Sequence, residues 1–354
     1  MENELSDRER FIVQAAYHCL IGKKYDRTKA WKHVRRCTSY SYKLQKTVLT
    51  ACVLFCFFIS ASLYYLNRNN SSLQEDCTQY SEIQKASGTP ILTLGNGQQI
   101  PLHAELSREI SKQARTDILV DSNTHRIQYF PSPVAGQDTS LQYHTLEIPK
   151  GGEYMLILAD GSKIWLNSES TLRFPVKFTS HKREIYLTGE IYLEVAHDSE
   201  RPFYVHAGKQ TIVVLGTRFN VRHYPTDSYW STTLVEGKIQ INSNAATYFL
   251  NPGEHYTETH NGKSPEITFV NTGQYISWVQ GKINFKNERL EEIIRQLQRW
   301  YDFEVFYANP ELKELHFGGA INKYNSFDVV LRYLERTADI RFEIRNKTVI
   351  VRKI

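Results

Sequence analysis

Cysteine is scarce in this chain, five among 354 residues, and its placement excludes a disulfide scaffold. Cys19 and Cys37 precede an apolar run at Val48 to Leu66, Cys52 and Cys56 lie inside it, and only Cys77 follows. One cysteine cannot staple the ~290 residues that follow the run, so core packing must hold them. Catalytic signatures are missing too: there is no G-x-S-x-G elbow, G-x-x-x-x-G-K-[ST] loop, H-E-x-x-H, C-x-x-C or D-x-D motif. His255 and His260, five apart in a turn-rich stretch, share no face on a helix or a strand, and are expected to be solvated loop histidines. Glu190 and Glu194 share a strand face, but at two strand periods, ~13 Å, they are too distant for acid-base work. No metal, no cofactor and no enzymatic activity are expected.

Charge is absent from Val48 to Leu66, VLTACVLFCFFISASLYYL, a run of 19 residues. At about 1.5 Å per residue it covers the ~30 Å hydrocarbon core of a bilayer. Residues 1–47 carry 11 Lys+Arg against 5 Asp+Glu, a net +6, so the whole-chain +5 leaves −1 for the remainder. The basic end is expected to stay in the cytoplasm. Retention there, with attraction to anionic lipid, explains the charge without a nucleic-acid partner. Leu49-Thr50-Ala51-Cys52 reads like a lipidation box, yet most of the apolar stretch follows the cysteine, and a cleaved secretory signal is shorter and nearer the terminus. A signal-anchor in the inner membrane is the reading: a single-pass membrane protein with its N-terminus cytoplasmic and its C-terminus periplasmic.

Five segments follow along the chain. Residues 1–47 form a short cytoplasmic tail, 48–66 a transmembrane helix, and 67–87 a polar stalk. Residues 88–274 should form an all-β domain, because Val, Ile, Thr, Tyr and Phe dominate short segments punctuated by glycine. A sandwich and a β-helix-like stack both fit. Within it Ile91–Leu102 recurs 64 residues later as Met155–Leu166, each a hairpin turning at Asn96-Gly97 or Asp160-Gly161, and the two pairs are expected to add to one sheet. Residues 275–354 read as βαββαββ, a small α+β module with both helices on one sheet face. Its first helix is expected behind an Asn287 cap with an apolar stripe of Leu290, Ile293, Ile294, Leu297 and Tyr301, and its second behind Ser326.

Four stretches carry a family resemblance: Thr145–Phe178, Arg183–Gly208 (REIYLTGEIYLEVAHDSERPFYVHAG), Ile212–Tyr224 (IVVLGTRFNVRHY) and Thr232–Ile241 (TTLVEGKIQI). They resemble the FecR family of transmembrane anti-sigma regulators, in the form common among Bacteroidota. Ile283–Tyr307 resembles that family's C-terminal module, similar to the short secretin/TonB N-terminal domain. The resemblance implies an extracytoplasmic-function sigma factor as cytoplasmic partner and the N-terminal extension of a TonB-dependent outer-membrane transporter as periplasmic partner. It also implies intramembrane and periplasmic proteases that release the tail.

The tail is shorter than in many relatives. Its helix-capable segment Asp7 to Ile21, with Phe11, Ile12 and Ala15 on one side and Trp31 beyond, is the candidate sigma-binding surface; such an amphipathic stretch can also lie on a membrane. Gly216-Thr217 occupies a position where some relatives cleave themselves, by attack of the Thr hydroxyl on the preceding carbonyl; a glycine needed at a turn is the alternative. For the transporter, an open sheet edge at Tyr301 to Tyr307, with Tyr301, Phe303, Val305 and Tyr307, or at Thr348 to Arg352, is the candidate. Trp300 is expected in the core. Two other function classes compete: a type II membrane-anchored carbohydrate-active enzyme, and an envelope structural or adhesion protein.

Overall fold

The computed structural model describes residues 7–20, 28, 32, 59–62, 64, 83–102, 118–121, 123–130, 141–243, 246–260 and 263–354. Contacts divide the chain into two compact units, Met1–Asp76 and Cys77–Ile354. In the first, α1 (Asp7–Leu20) leaves Ile12 and Tyr17 each 63% exposed. Trp31, the Phe11 side chain, residues 48–58 and residues 67–82 lie outside the described residues. Among the described residues no helix is long and apolar enough to cross a membrane.

The second unit begins with two β layers. One contains β2 (Gln99–Pro101), β1 (Ile91–Thr93), β5 (Tyr143–Glu147), β8 (Thr171–Pro175), the first half of β9 (Arg183–Glu194), β10 (Phe203–Ala207), β11 (Gln210–Val214), β14 (Ile239–Asn242) and β15 (Thr247–Leu250), in that order. The other contains β3 (Ile118–Asp121), β4 (Arg126–Tyr129), β6 (Tyr154–Ile157), β7 (Lys163–Leu166), the second half of β9, β12 (Arg218–His223), β13 (Tyr229–Glu236), β16 (Glu254–Thr259) and β17 (Glu266–Phe269). The chain lays hairpins alternately in the two layers, so the domain is a sandwich with the rung-by-rung growth of a stack. Strand β9 serves both layers. It passes between them at Gly189, where φ is +113° and an added Cβ would lie 2.6 Å from the Ser170 Cα, a position only glycine tolerates. Alternating inward residues, among them Leu92, Leu156, Ile164, Leu172, Phe174, Ile185, Phe203 and Phe219, form one continuous core between the layers.

The repeated hairpin is observed in equivalent register: Leu92 faces Ile100, and Leu156 faces Ile164. Gly97 and Gly161 take φ of +84° and +86°, and the carbonyls of Leu94 and Leu158 accept from their N–H groups. Both copies belong to one continuous curled sheet, as expected, but lie in opposite layers of it, joined through β9. The first belongs to the β1 layer and the second to the β6 layer, so their apolar faces meet across the core.

The C-terminal module follows the expected order: β18 (Lys282–Arg289), α3 (Leu290–Gln298; α2, Thr272–Ile276, lies in the connection), β19 (Glu304–Tyr307), β20 (His316–Asn322), α4 (Phe327–Thr337), β21 (Ile340–Arg345) and β22 (Thr348–Lys353). It forms two small sheets where one was expected, β18–β20 and β19–β22–β21. Asn287 does not cap the helix. It sits at φ +50° in a bulge between Phe285 and Glu288, so β18 runs on to Arg289 and the helix begins there. The stripe Leu290, Ile293, Ile294, Leu297 and Tyr301 is buried as expected, and so is Trp300.

Residues 83–88, expected to end a stalk, are docked. Ile83 joins the module's core, Lys85 bridges to Tyr301, and the Ala86 N–H donates to the Trp300 carbonyl at 2.9 Å. The chain therefore touches its C-terminal module before it enters the sandwich.

Candidate functional site

The outer face of the second β layer is polar where the module covers it. Across neighbouring strands Glu190 on β9 faces Arg222 on β12, and Asn220 follows on the same face. Glu190 accepts from Asn167 at 2.8 Å and Asn220 at 3.0 Å, and the Asn220 amide oxygen accepts from the Trp278 indole at 2.9 Å. Asp227, its side chain fully buried, receives Arg222 Nε at 2.8 Å from the sandwich and Arg299 from the module. Burial works to raise the Asp227 carboxyl, but the two guanidinium groups outweigh it and hold the pKa below its ordinary value. Arg299 also stacks 3.7 Å from the centre of the Tyr224 ring.

Further ties cross the junction. Ser228 donates to Glu292 Oε1 at 2.9 Å, which Arg295 also reaches at 3.2 Å. Lys323, its side chain without exposed surface, pairs with Glu153 and donates to the Trp278 carbonyl at 2.9 Å. Burial lowers the Lys323 pKa, and Glu153 offsets part of that shift. The junction encloses a cleft of about 470 Å³. Burial raises the Glu288 carboxyl there to about 7 against the pull of Arg222, and Gln296 donates to it at 2.6 Å.

His255 lines the same cleft, contrary to the expectation of a solvated loop residue. It is buried on β16 beside Thr233, 2.7 Å away, and burial lowers its pKa to about 4. Its partner in the sequence, His260, packs edge-on against Trp230. Among the described residues no group of His, Cys, Asp and Glu is arranged to hold a metal.

The four candidate transporter-binding residues separate. Tyr301 and Phe303 are buried in the module core, and the Tyr301 hydroxyl donates to the Asn325 carbonyl, so neither is presented on an exposed strand. Val305 and Tyr307 are partly buried on β19, and among the described residues β19 pairs only with β22. No described strand pairs with its other edge, and the Phe306 side chain is 59% exposed. The alternative edge at Thr348 to Arg352 is excluded, because β22 is the central strand. Gly216 and Thr217 lie between β11 and β12. An added Cβ on Gly216 would fall 2.7 Å from the His197 Cα, and Thr217 Oγ1 donates to the Lys238 carbonyl at 3.0 Å. Both contacts account for these residues structurally. In the first unit Ala15 is half-buried and Ile12 exposed.

The junction residues Arg222, Asp227, Glu292, Arg299 and Lys323 were not singled out from the sequence. Strand alternation places Glu190, Asn220 and Arg222 on one polar face, which was legible; that a second module covers it was not.

The fold is a two-layer sandwich with an α+β module clamped to one face by charged pairs. The FecR protein family model matches residues 144–240 and the FecR C-terminal model residues 282–351. Residues 144–240 thus form a FecR domain and residues 282–351 a FecR C-terminal domain. Two crystal structures of a candidate anti-sigma factor from Parabacteroides distasonis ATCC 8503, at 1.65 and 2.50 Å, are similar in fold, each with a TM-score of 0.57 and 23% identity. They cover 59% and 60% of this chain, and 99% of their own. No curated protein matches the chain.

Proposed function

We propose that the protein is a transmembrane anti-sigma regulator. The tail of residues 1–47 engages an extracytoplasmic-function sigma factor, residues 48–66 cross the inner membrane, and the periplasmic unit receives the N-terminal extension of a TonB-dependent transporter. Regulated proteolysis near the membrane run releases the tail. The presence of both FecR models in one chain carries the reading. The 19-residue uncharged run behind a basic tail supports the topology. The open edge of β19 supports strand addition by the transporter segment, and the exposed Ile12 and Tyr17 on α1 support docking of the tail in a groove on its partner. Thr217 serves its loop as a tie and is given no part in cleavage.

Deleting residues 1–40 should change transcription from the cognate sigma-dependent promoter, and the full-length protein should co-purify with both a sigma factor and the transporter extension. Unchanged transcription, with neither partner recovered, rules the reading out.

A further inference from the structure

We propose that the cleft between the β sandwich and the C-terminal module binds a carboxylate-bearing ligand that also offers an N–H or O–H donor. The walls show which bonding capacity is spent and which is spare. Both oxygens of Glu190 already accept from amides, and both of Asp227 from guanidinium groups. Arg222 Nη2 and Arg299 Nε are buried donors without a hydrogen-bond partner, although Arg299 Nε lies 3.8 Å from Glu169, and Glu292 Oε2 is a buried acceptor without one, on a side chain only 4% exposed. All three residues line the cleft. Unused polar atoms at that depth carry a desolvation cost that a complementary ligand removes.

Charge decides the sign of that ligand. Five of the charged residues lining the cleft are Lys or Arg and three are Glu. Asp227 offsets part of the charge of Arg222 and Arg299, and Glu291 and Glu314 that of Arg289. Lys282 and Lys286 stand exposed at the rim, and Glu288 is pushed toward neutrality by burial. A carboxylate therefore suits the guanidinium side and a donor suits Glu292. The volume of about 470 Å³ lies within the roughly 300–1,000 Å³ range of small-ligand sites. An acidic residue in an extended peptide and a small free acid share this chemistry. The inference is independent of the signalling reading, because its test needs neither a sigma factor nor a transporter.

The test is calorimetric titration of the full chain with three probes: acetyl-Ala-Asp-Ala-amide, its Asn counterpart, and N-acetylglycine. Tryptophan fluorescence gives a second readout, since Trp278 and Trp300 line the cleft. Saturable binding of a carboxylate probe is expected, with the Asn peptide at least about ten-fold weaker. Preference for the Asp peptide assigns the source to a peptide; equal or better binding of N-acetylglycine assigns it to a free acid. Arg222→Gln should weaken binding at least about ten-fold. Because Arg222 also holds Asp227, Lys286→Glu at the exposed rim is the companion variant, expected to weaken binding about three-fold without disturbing the fold. No carboxylate binding up to about 10 mM, equal binding of the Asn peptide, or undiminished binding in both variants overturns the proposal.

Discussion

Arg183 is an unusual residue to find inside a β sandwich. Its side chain is 1% exposed, and it donates to Asp160 Oδ2 at 2.9 Å and to the carbonyls of Ala196, Arg201 and Leu215 at 2.7, 2.8 and 3.2 Å. It explains why the second hairpin copy turns at Asp160 where the first has Asn96: the second turn faces a buried cation. Arg183→Ala strands a buried carboxylate and three carbonyls, and should cost about 3–5 kcal/mol in chemical denaturation. Glu288 behaves in the opposite sense to a paired carboxylate. Its folded pKa of about 7 lies above the ordinary 4.5, so the native state holds a proton that the unfolded chain has lost. Arg222, Glu292 and Asp227 face it, with Gln296 donating. The stability it contributes is present below pH 4.5 and declines as pH rises from 4.5 to about 7. We expect a loss of about 1–3 kcal/mol across that window, removed in Glu288→Gln, as measured by denaturation at about pH 5 and about pH 8.

Among the elements of the C-terminal module, β19 offers an edge to a partner strand. Glu304 N–H donates to the Lys347 carbonyl and Ala308 N–H to that of Val351, so alternation turns the N–H groups of Val305 and Tyr307 toward the free edge. Val305→Pro should abolish capture of the transporter extension while lowering the melting temperature by only a few degrees. Phe306→Pro, whose N–H alternation points at β22, should destabilise the module itself; equal capture by both variants and the native chain would exclude β19. Much of this layer was readable beforehand. Period-two alternation marked the strands, Asn-Gly and Asp-Gly marked the repeated turn, and the 3.6-residue stripe marked α3. Alternation is blind to which layer a hairpin joins, and so it does not show that the two copies face each other from opposite layers of the one sheet. It is equally blind to what covers an outward face. Aromatic runs near a sheet look alike whether they face solvent or a helix, which hides the burial of Tyr301 and Phe303, and the polar strand Glu254–Thr259 has too little apolar contrast to reveal the burial of His255.

For the whole molecule, the polar junction decides whether sandwich and module behave as one body. Asp227 joins Arg222 of one to Arg299 of the other with no exposed surface of its own. Asp227→Asn leaves two buried guanidinium groups without their counter-charge, so heating the variant should separate one cooperative transition into two, with the module melting first. A single unchanged calorimetric peak would show that apolar contacts alone hold the parts together. The docking of residues 83–88 has a further consequence, in the order of synthesis. Gln84 and Ala86 hydrogen-bond to Asp302 and Trp300, which leave the ribosome long after them. Through most of synthesis that early segment lacks these partners, and it is covered only once the C-terminal module exists. A truncated or stalled chain would display that segment bare, so the contact forms only when the C-terminal module has been made.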